Sequence, residues 1–324
     1  MSNPLRHILP FLRPFQPLLE DDTISEIMVT ADGGVSIERD GRLTVIPLDF
    51  SREDYITALQ NIARQKGEDF SAACPKVDAR LPNGNRACMV WPTVALGSYP
   101  TLNIRKHQGF RSLDELVRLG SITPEALETL LRAIDRRRNI LISGGFGTGK
   151  TTLLRGLASR IPADQRIVTI EDTAEMNLRA DPRRFGLVVE LEAKEEQRDL
   201  AGKVISPRQT LRDLVKISTR ERPDRIILGE IRGEEAFDLL KVLNSGVSGS
   251  LFTIHADSVE LALEKLALYV LEAKDMPMEA ICRHIGSAVH MGVQIERRSD
   301  GSRGVVELKE VRGYHSGKFD LRPY

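Results

Sequence analysis

The segment Gly144-Gly145-Phe146-Gly147-Thr148-Gly149-Lys150-Thr151 constrains this chain more than any other. It fits the pattern G-x-x-x-x-G-K-[ST]. An apolar strand-like run, Asn139-Ile140-Leu141-Ile142, precedes it, and a helical pattern over 151–160 follows. Glycines at these positions let backbone N–H groups turn inward around a phosphate. The helix that begins there adds about half a positive charge. The spacing therefore predicts that Gly144, Gly145, Phe146, Gly147, Thr148, Gly149, Lys150, Thr151 and Thr152 bind a nucleotide. Lys150 is expected at the β- and γ-phosphates, and Thr151 at Mg²⁺. No N-K-x-D run is present to read guanine, which disfavours GTP, and no L-S-G-G-Q run points to a transporter cassette.

Around this loop the chain alternates strand and helix. Strands are expected at 166–170, 225–228 and 250–254, with helices at 124–138, 210–218, 234–243 and 261–271. Such alternation implies a mostly parallel sheet covered on both faces. Residues 289–296 and 305–311 flank Ser299-Asp300-Gly301 and form an expected antiparallel hairpin. The first hundred residues look different, a small α+β region. Strands 35–38 and 43–46 flank an Asp-Gly turn, and a helix follows with Ser51 as N-cap. A second hairpin is expected around Pro82-Asn83-Gly84-Asn85, and a closing strand at 101–106. With 324 residues, two domains fit better than one. The boundaries drawn are 1–106, a linker at 107–123 with one short helix, and 124–324.

Three strand ends carry candidate chemistry. Glu230 follows the strand beginning at Arg225, in the crevice where parallel sheets bind ligands. It is placed to orient water and help hold Mg²⁺, or to cap the helix that starts near Gly233. Glu171 and Asp172 follow the strand ending at Ile170. They are either Mg²⁺ or water ligands at one remove, or acids at a helix start. His255 follows Thr253-Ile254, as a γ-phosphate sensor or as an ordinary half-buried histidine. The run Thr219-Arg220-Glu221-Arg222-Pro223-Asp224-Arg225 is a solvated turn unless its arginines meet a nucleotide. An arginine in that role is worth about 10³–10⁵ in rate.

The 46 Lys+Arg and 46 Asp+Glu cancel to a net charge of +0. That excludes a polycation coating nucleic acid, though not a local basic site. No apolar run reaches the roughly 18 residues that span a bilayer. The N-terminus is broken by Arg6, His7, Pro10, Arg13, Pro14 and Pro17, so no secretory signal is expected. Cys74, Cys88 and Cys282 form no C-x-x-C pair, which suggests neither a zinc site nor a disulfide framework. A reduced, cytoplasmic location is expected.

The blocks 144–152, 170–175, 220–232 and 249–257, in this order, resemble the secretion (traffic) ATPase superfamily of type II and type IV secretion and type IV pili. The phosphate loop matches 144–152. The acidic box resembles Ile170-Glu171-Asp172-Thr173-Ala174-Glu175. The Walker B segment, with Gly-Glu in place of Asp-Glu, resembles Ile226-Ile227-Leu228-Gly229-Glu230-Ile231-Arg232-Gly233. The histidine box resembles Gly249-Ser250-Leu251-Phe252-Thr253-Ile254-His255-Ala256-Asp257. The resemblance implies a RecA-like P-loop domain with a smaller N-terminal PAS-like α+β domain folded over the nucleotide. It implies an ATP- and Mg²⁺-dependent hexameric ATPase at the cytoplasmic face of the inner membrane. Its partners would be membrane secretion or pilus components, with peripheral membrane contact and no direct nucleic acid.

By the same resemblance the catalytic set is Glu230, Glu171, His255, Arg220 and Arg232, and the metal set is Thr151, Glu230 and Asp172. Arg105 would contact nucleotide. Arg80, Arg86, Arg220 and Arg232 are candidates to act on a neighbouring copy. Lacking a four-cysteine segment, the chain looks most like the type IV secretion and conjugal-transfer branch, with Tad-type or type IV pilus ATPases as the alternative. Thr219 and Glu221 depart from the usual arginine box, and the segment 244–249 lacks the family's common histidine. A RecA-like helicase or DNA translocase is a reading from another class, disfavoured by 5% aromatics and balanced charge. A non-hydrolysing nucleotide switch is a third.

Overall fold

The structure, a computed structural model, describes residues 12–39, 41–81, 84–106, 111–181, 183, 186–198 and 204–324. It divides into two compact units, residues 1–109 and 110–324. In the first, helix α1 (Gln16–Glu20) precedes strands β1 (Ile24–Val29), β2 (Val35–Arg39) and β3 (Arg42–Ile46). Helix α2 (Arg52–Gln65) and strands β4 (Lys76–Arg80), β5 (Arg86–Val90) and β6 (Thr101–Arg105) follow. The strands form one antiparallel sheet in the order β3-β2-β1-β6-β5-β4. The two expected hairpins are β2–β3 and β4–β5; Pro82 and Asn83 of the second turn lie outside the described residues. The Ser51 hydroxyl accepts from the Asp54 amide at 3.3 Å and starts α2. Tyr55, Leu59 and Ile62, spaced for one helix face, are buried in this unit's core, and the Tyr55 hydroxyl donates to Pro100 O.

The second unit contains α3 (Leu113–Arg118), α4 (Pro124–Asp135), β7 (Ile140–Gly144), α5 (Lys150–Ala158), β8 (Ile167–Glu171) and β9 (Val188–Glu192). A short pair, β10 (Gln197–Arg198) and β11 (Val204–Ser206), leads to α6 (Leu211–Ser218), β12 (Arg225–Ile231), α7 (Glu235–Leu243) and β13 (Leu251–Ile254). Helices α8 (Val259–Ala273) and α9 (Met278–Ala288) and strands β14 (Met291–Arg297), β15 (Arg303–His315) and β16 (Lys318–Pro323) complete it. The sheet order is β16-β15-β14-β7-β13-β12-β8-β9. Neighbours from β14 to β9 are parallel, and β15 and β16 add an antiparallel edge. Fully apolar strands such as Ile140-Leu141-Ile142 suit a sheet covered on both faces. One face packs α6 to α9, and the other packs α3, α4 and α5. Among the described residues no helix is long and apolar enough to cross a membrane.

Several expectations change. The short helix expected in the 107–123 stretch is α3, and its Leu113 and Leu116 are buried in the second unit's core, so this part is not a free linker. The tail forms the expected antiparallel hairpin, β14 with β15, and β14 also pairs in parallel with β7, so the hairpin extends the main sheet. Strand β9 and helix α9 were not expected at all. The strand from Arg225 runs three residues further than expected, so Glu230 lies within β12.

Arg225 ties the N-terminal ends of these strands together. It is 1% exposed and donates to Gln165 Oε1 (2.6 Å), Ile134 O (2.9 Å) and Gly249 O (3.2 Å). Burial pulls its pKa down to about 10. Gly249 makes room for it: φ there is +77°, and a Cβ would stand 2.4 Å from Arg225 Nη1 and 3.1 Å from Arg137 Cα. Gly249→Ala should therefore cost about 1–3 kcal/mol. Thermal unfolding followed by circular dichroism should show a midpoint roughly 2–10 °C lower; an unchanged midpoint would refute this account of Gly249.

Candidate functional site

Strand β7 is buried along its whole length and delivers the chain to the glycine loop. A Cβ on Gly144 would lie 2.4 Å from Ile295 O of β14, so only glycine lets the two backbones approach there. Gly147 and Gly149 have left-handed φ values of 66° and 99°. Gly149 is the N-cap of α5, and the Thr148 hydroxyl donates to Gly145 O at 3.0 Å. The amides at the start of α5 thus face the loop, the arrangement that attracts a phosphate.

Lys150, 7% exposed, directs its ammonium to three acceptors. They are Gly144 O (2.9 Å), Gly145 O (2.7 Å) and Nδ1 of His255 (3.1 Å). An ammonium only donates, so Nδ1 accepts and the imidazole proton sits on Nε2. That Nε2 lies 2.5 Å from Glu230 Oε1. Burial first, and then the positive Lys150, hold the His255 pKa below the usual imidazole range, so the ring is neutral at pH 7. The same carboxylate receives Arg232, with Nη2 at 2.7 Å and Nε at 2.8 Å from Oε2. Arg232 Nη1 reaches Asp172 at 2.7 Å.

Local irregularity aims Glu230. Between Leu228 and Ile231 strand β12 carries one extra residue relative to β13. A bulge of this kind beside a site turns a side chain out of strand alternation. The Thr253 hydroxyl donates to Gly229 O at 2.5 Å and pins the bulge. Glu230 is not the cap of α7. The N-cap is Glu234, and the Glu235 carboxylate accepts from the amides of Arg232 and Gly233 just before the helix.

The fold thus gathers Lys150, His255, Glu230, Arg232 and Asp172. Thr151 and Thr152 stand half-buried on the first turn of α5. Glu171 is nearby in the backbone, since its Cγ would be 3.2 Å from a Cβ on Gly229. Its carboxylate instead accepts from the amides of Glu175 (2.9 Å) and Met176 (3.2 Å). Glu171 is 3% exposed, and burial pushes its pKa up to about 7 against those hydrogen bonds. Arg220 lies in a 3-10 turn just before the opposite end of β12. Six strand steps of about 3.3 Å separate that end from the far end, which puts Arg220 roughly 20 Å from its own Glu230 region. Arg105, in the first unit, pairs with Glu26 at 2.9 Å. The Arg80 side chain lies outside the described residues.

Two positioning groups escaped sequence reasoning. Gln294, 1% exposed on β14, accepts from the Ser143 hydroxyl at 2.5 Å and donates to Ala256 O at 3.2 Å. It couples the strand of the glycine loop to the residue after His255. Lys265 of α8 donates to His255 O at 2.9 Å. The one signal in the sequence was a glutamine at an otherwise apolar position of Met291–Ile295.

A model of the family described as type II/IV secretion system protein matches residues 12–294. The type IV secretion system protein VirB11 of Brucella suis biovar 1 (strain 1330) is 33% identical over 320 residues, with 87% of this chain and 86% of that protein covered. A probable conjugal transfer protein TrbB of Sinorhizobium fredii (strain NBRC 101917 / NGR234) is 32% identical over 308 residues, covering 94% and 88%. Among solved structures, the VirB11 ATPase from the Brucella suis type IV secretion system in complex with sulphate has a TM-score of 0.50 and 30% identity, over 95% of each chain. With the phosphate loop, the Gly-Glu strand end and the histidine box all in place, this chain belongs to the type II/IV secretion system protein family, the secretion ATPases, with relatives in its type IV secretion and conjugal-transfer branch.

Proposed function

We propose that the chain hydrolyses ATP in the crevice at the C-terminal ends of β7, β12 and β13, and that a hexamer of it powers a type IV secretion or conjugal-transfer machine. The carrying observation is the contiguous chain Lys150–His255–Glu230. It joins the lysine of the phosphate loop to the carboxylate best placed to handle water. All three protons of the Lys150 ammonium already have acceptors, so a γ-phosphate oxygen competes for one of them. Any change at Lys150 is then felt at Nδ1 of His255 and, through the ring, at Glu230.

Glu230 orients the attacking water and takes its proton. Arg232 holds Glu230 and Asp172 in place within the same chain. Arg220, at the other end of β12, is better suited to a nucleotide bound by a neighbouring copy. The donor set fits Mg²⁺, which neutralises phosphate charge when bound. Thr151 would ligate it directly, with Glu230 and Asp172 reaching it through water. Glu171 shapes the loop after β8 by capping the amides at 175 and 176. In the cell the chain would work at the cytoplasmic face of the inner membrane, against membrane components of the machine.

Lys150→Ala should abolish steady-state ATP turnover. Glu230→Gln should keep ATP binding and lower kcat by about 10²–10⁴; near wild-type turnover would remove Glu230 as the base. Size-exclusion with light scattering should show a hexamer with nucleotide, and a monomer under all conditions would contradict the motor. Glu171 supplies a pH test. Its folded pKa of about 7 exceeds the model carboxylate value of 4.5, so the folded state holds a proton that the unfolded chain has released. Stability should fall as pH rises from about 4.5 to 7. Glu171→Gln removes that penalty, and should be more stable than wild type at pH 8 by about 1–3 kcal/mol, with little difference at pH 4.5. Denaturant melts at both pH values measure this; equal gaps at both would refute it.

A further inference from the structure

Phe146 is the most exposed large group of the phosphate loop, at 84%, yet it is not loose. Its ring stacks on the His255 imidazole, with centroids 4.0 Å apart and planes inclined by 31°. His255 is therefore held on three sides. Lys150 meets one edge at Nδ1, Glu230 meets the other at Nε2, and Phe146 covers a face. The two edge contacts require one tautomer and one ring orientation. A half-turn about the Cβ–Cγ bond would carry both nitrogens away from their partners. Aromatic stacking of this kind is a directional restraint on a small ring.

We propose that Phe146 is a positioning residue for the hydrolytic site, its ring holding the His255 imidazole in the orientation that links Lys150 to Glu230. This rests on the ATPase reading above and assigns the side chain a task separate from its backbone amide in the loop. The charged groups facing His255 are Lys150 from α5, Glu230 and Arg232 from β12 and its end, and Lys265 from α8. Lys150 and Glu230 fix the two ring nitrogens, and Phe146 is the group that covers the ring face.

The test is a kinetic and spectroscopic series on the full chain. Phe146→Ala should leave thermal stability unchanged, because the residue is exposed. It should lower kcat by about 3- to 10-fold with little change in KM for ATP. Phe146→Tyr and Phe146→Trp should restore kcat. A KM increase with unchanged kcat would mean that the ring contacts nucleotide, and would overturn the proposal. Wild-type kcat in Phe146→Ala would overturn it too. Nitrogen-15 NMR of the imidazoles without nucleotide, with His255 assigned by its loss in His255→Asn, gives a readout independent of turnover. The Nε2–H tautomer should dominate in wild type and lose its dominance in Phe146→Ala. An unchanged tautomer in that variant refutes the positioning role even if the protein proved not to be an ATPase. Conversely, an inactive wild type with the expected tautomer shift would indict the ATPase reading alone.

Discussion

The buried ammonium of Lys150 is the interaction on which the site depends. An unpaired cation at 7% exposure would cost several kcal/mol. Two carbonyls of its own loop and one imidazole meet that cost. The carbonyls of Gly144 and Gly145 point at it only because the loop is tightly wound, which needs left-handed glycines at 147 and 149. The imidazole points at it only because β13 runs beside β7 in parallel register and ends level with it. One satisfied charge thus joins loop conformation, strand pairing and the choice of histidine tautomer.

The rest of the charge at the crevice follows from that tautomer. With its proton on Nε2, His255 donates to Glu230, and the second oxygen of Glu230 remains for Arg232. Arg232 in turn spans to Asp172. Positive and negative groups alternate along this line, so no two like charges meet directly. The surrounding scaffold is rigid where it matters. Gln294 and Ser143 link the strand of the loop to the histidine segment, and the Thr253 hydroxyl holds the bulge beneath Glu230. Buried polar bridges of this sort fix geometry because every member is satisfied.

Much of this was legible in the sequence because its signals are local. A glycine-rich turn between an apolar run and a helix carries its own conformational requirement, and the strand–helix alternation carries the parallel sheet. The cap at Ser51 was legible for the same reason: a hydroxyl reaches an amide three residues on. What escaped was set by partners distant in sequence. Strand β9 is short and half-polar, and exists by pairing with β8. The hairpin of β14 with β15 was legible, but the pairing of β14 with β7 is a contact across about 150 residues. Gln294 looked like an exception in an apolar strand until Ser143 and Ala256 came within reach.

From sequence alone, then, came the nucleotide loop, the α/β class and the short list of acids, arginines and one histidine, since each depends on neighbours within a few residues. The tertiary structure decided which members of that list meet. It brought Glu230 and His255 to Lys150 through parallel register and a one-residue bulge, turned the Glu171 carboxylate onto nearby amides, and left Arg220 at the far end of its strand. The physical reason is that a strand's two ends are some 20 Å apart, and only pairing between strands determines which ends share a crevice.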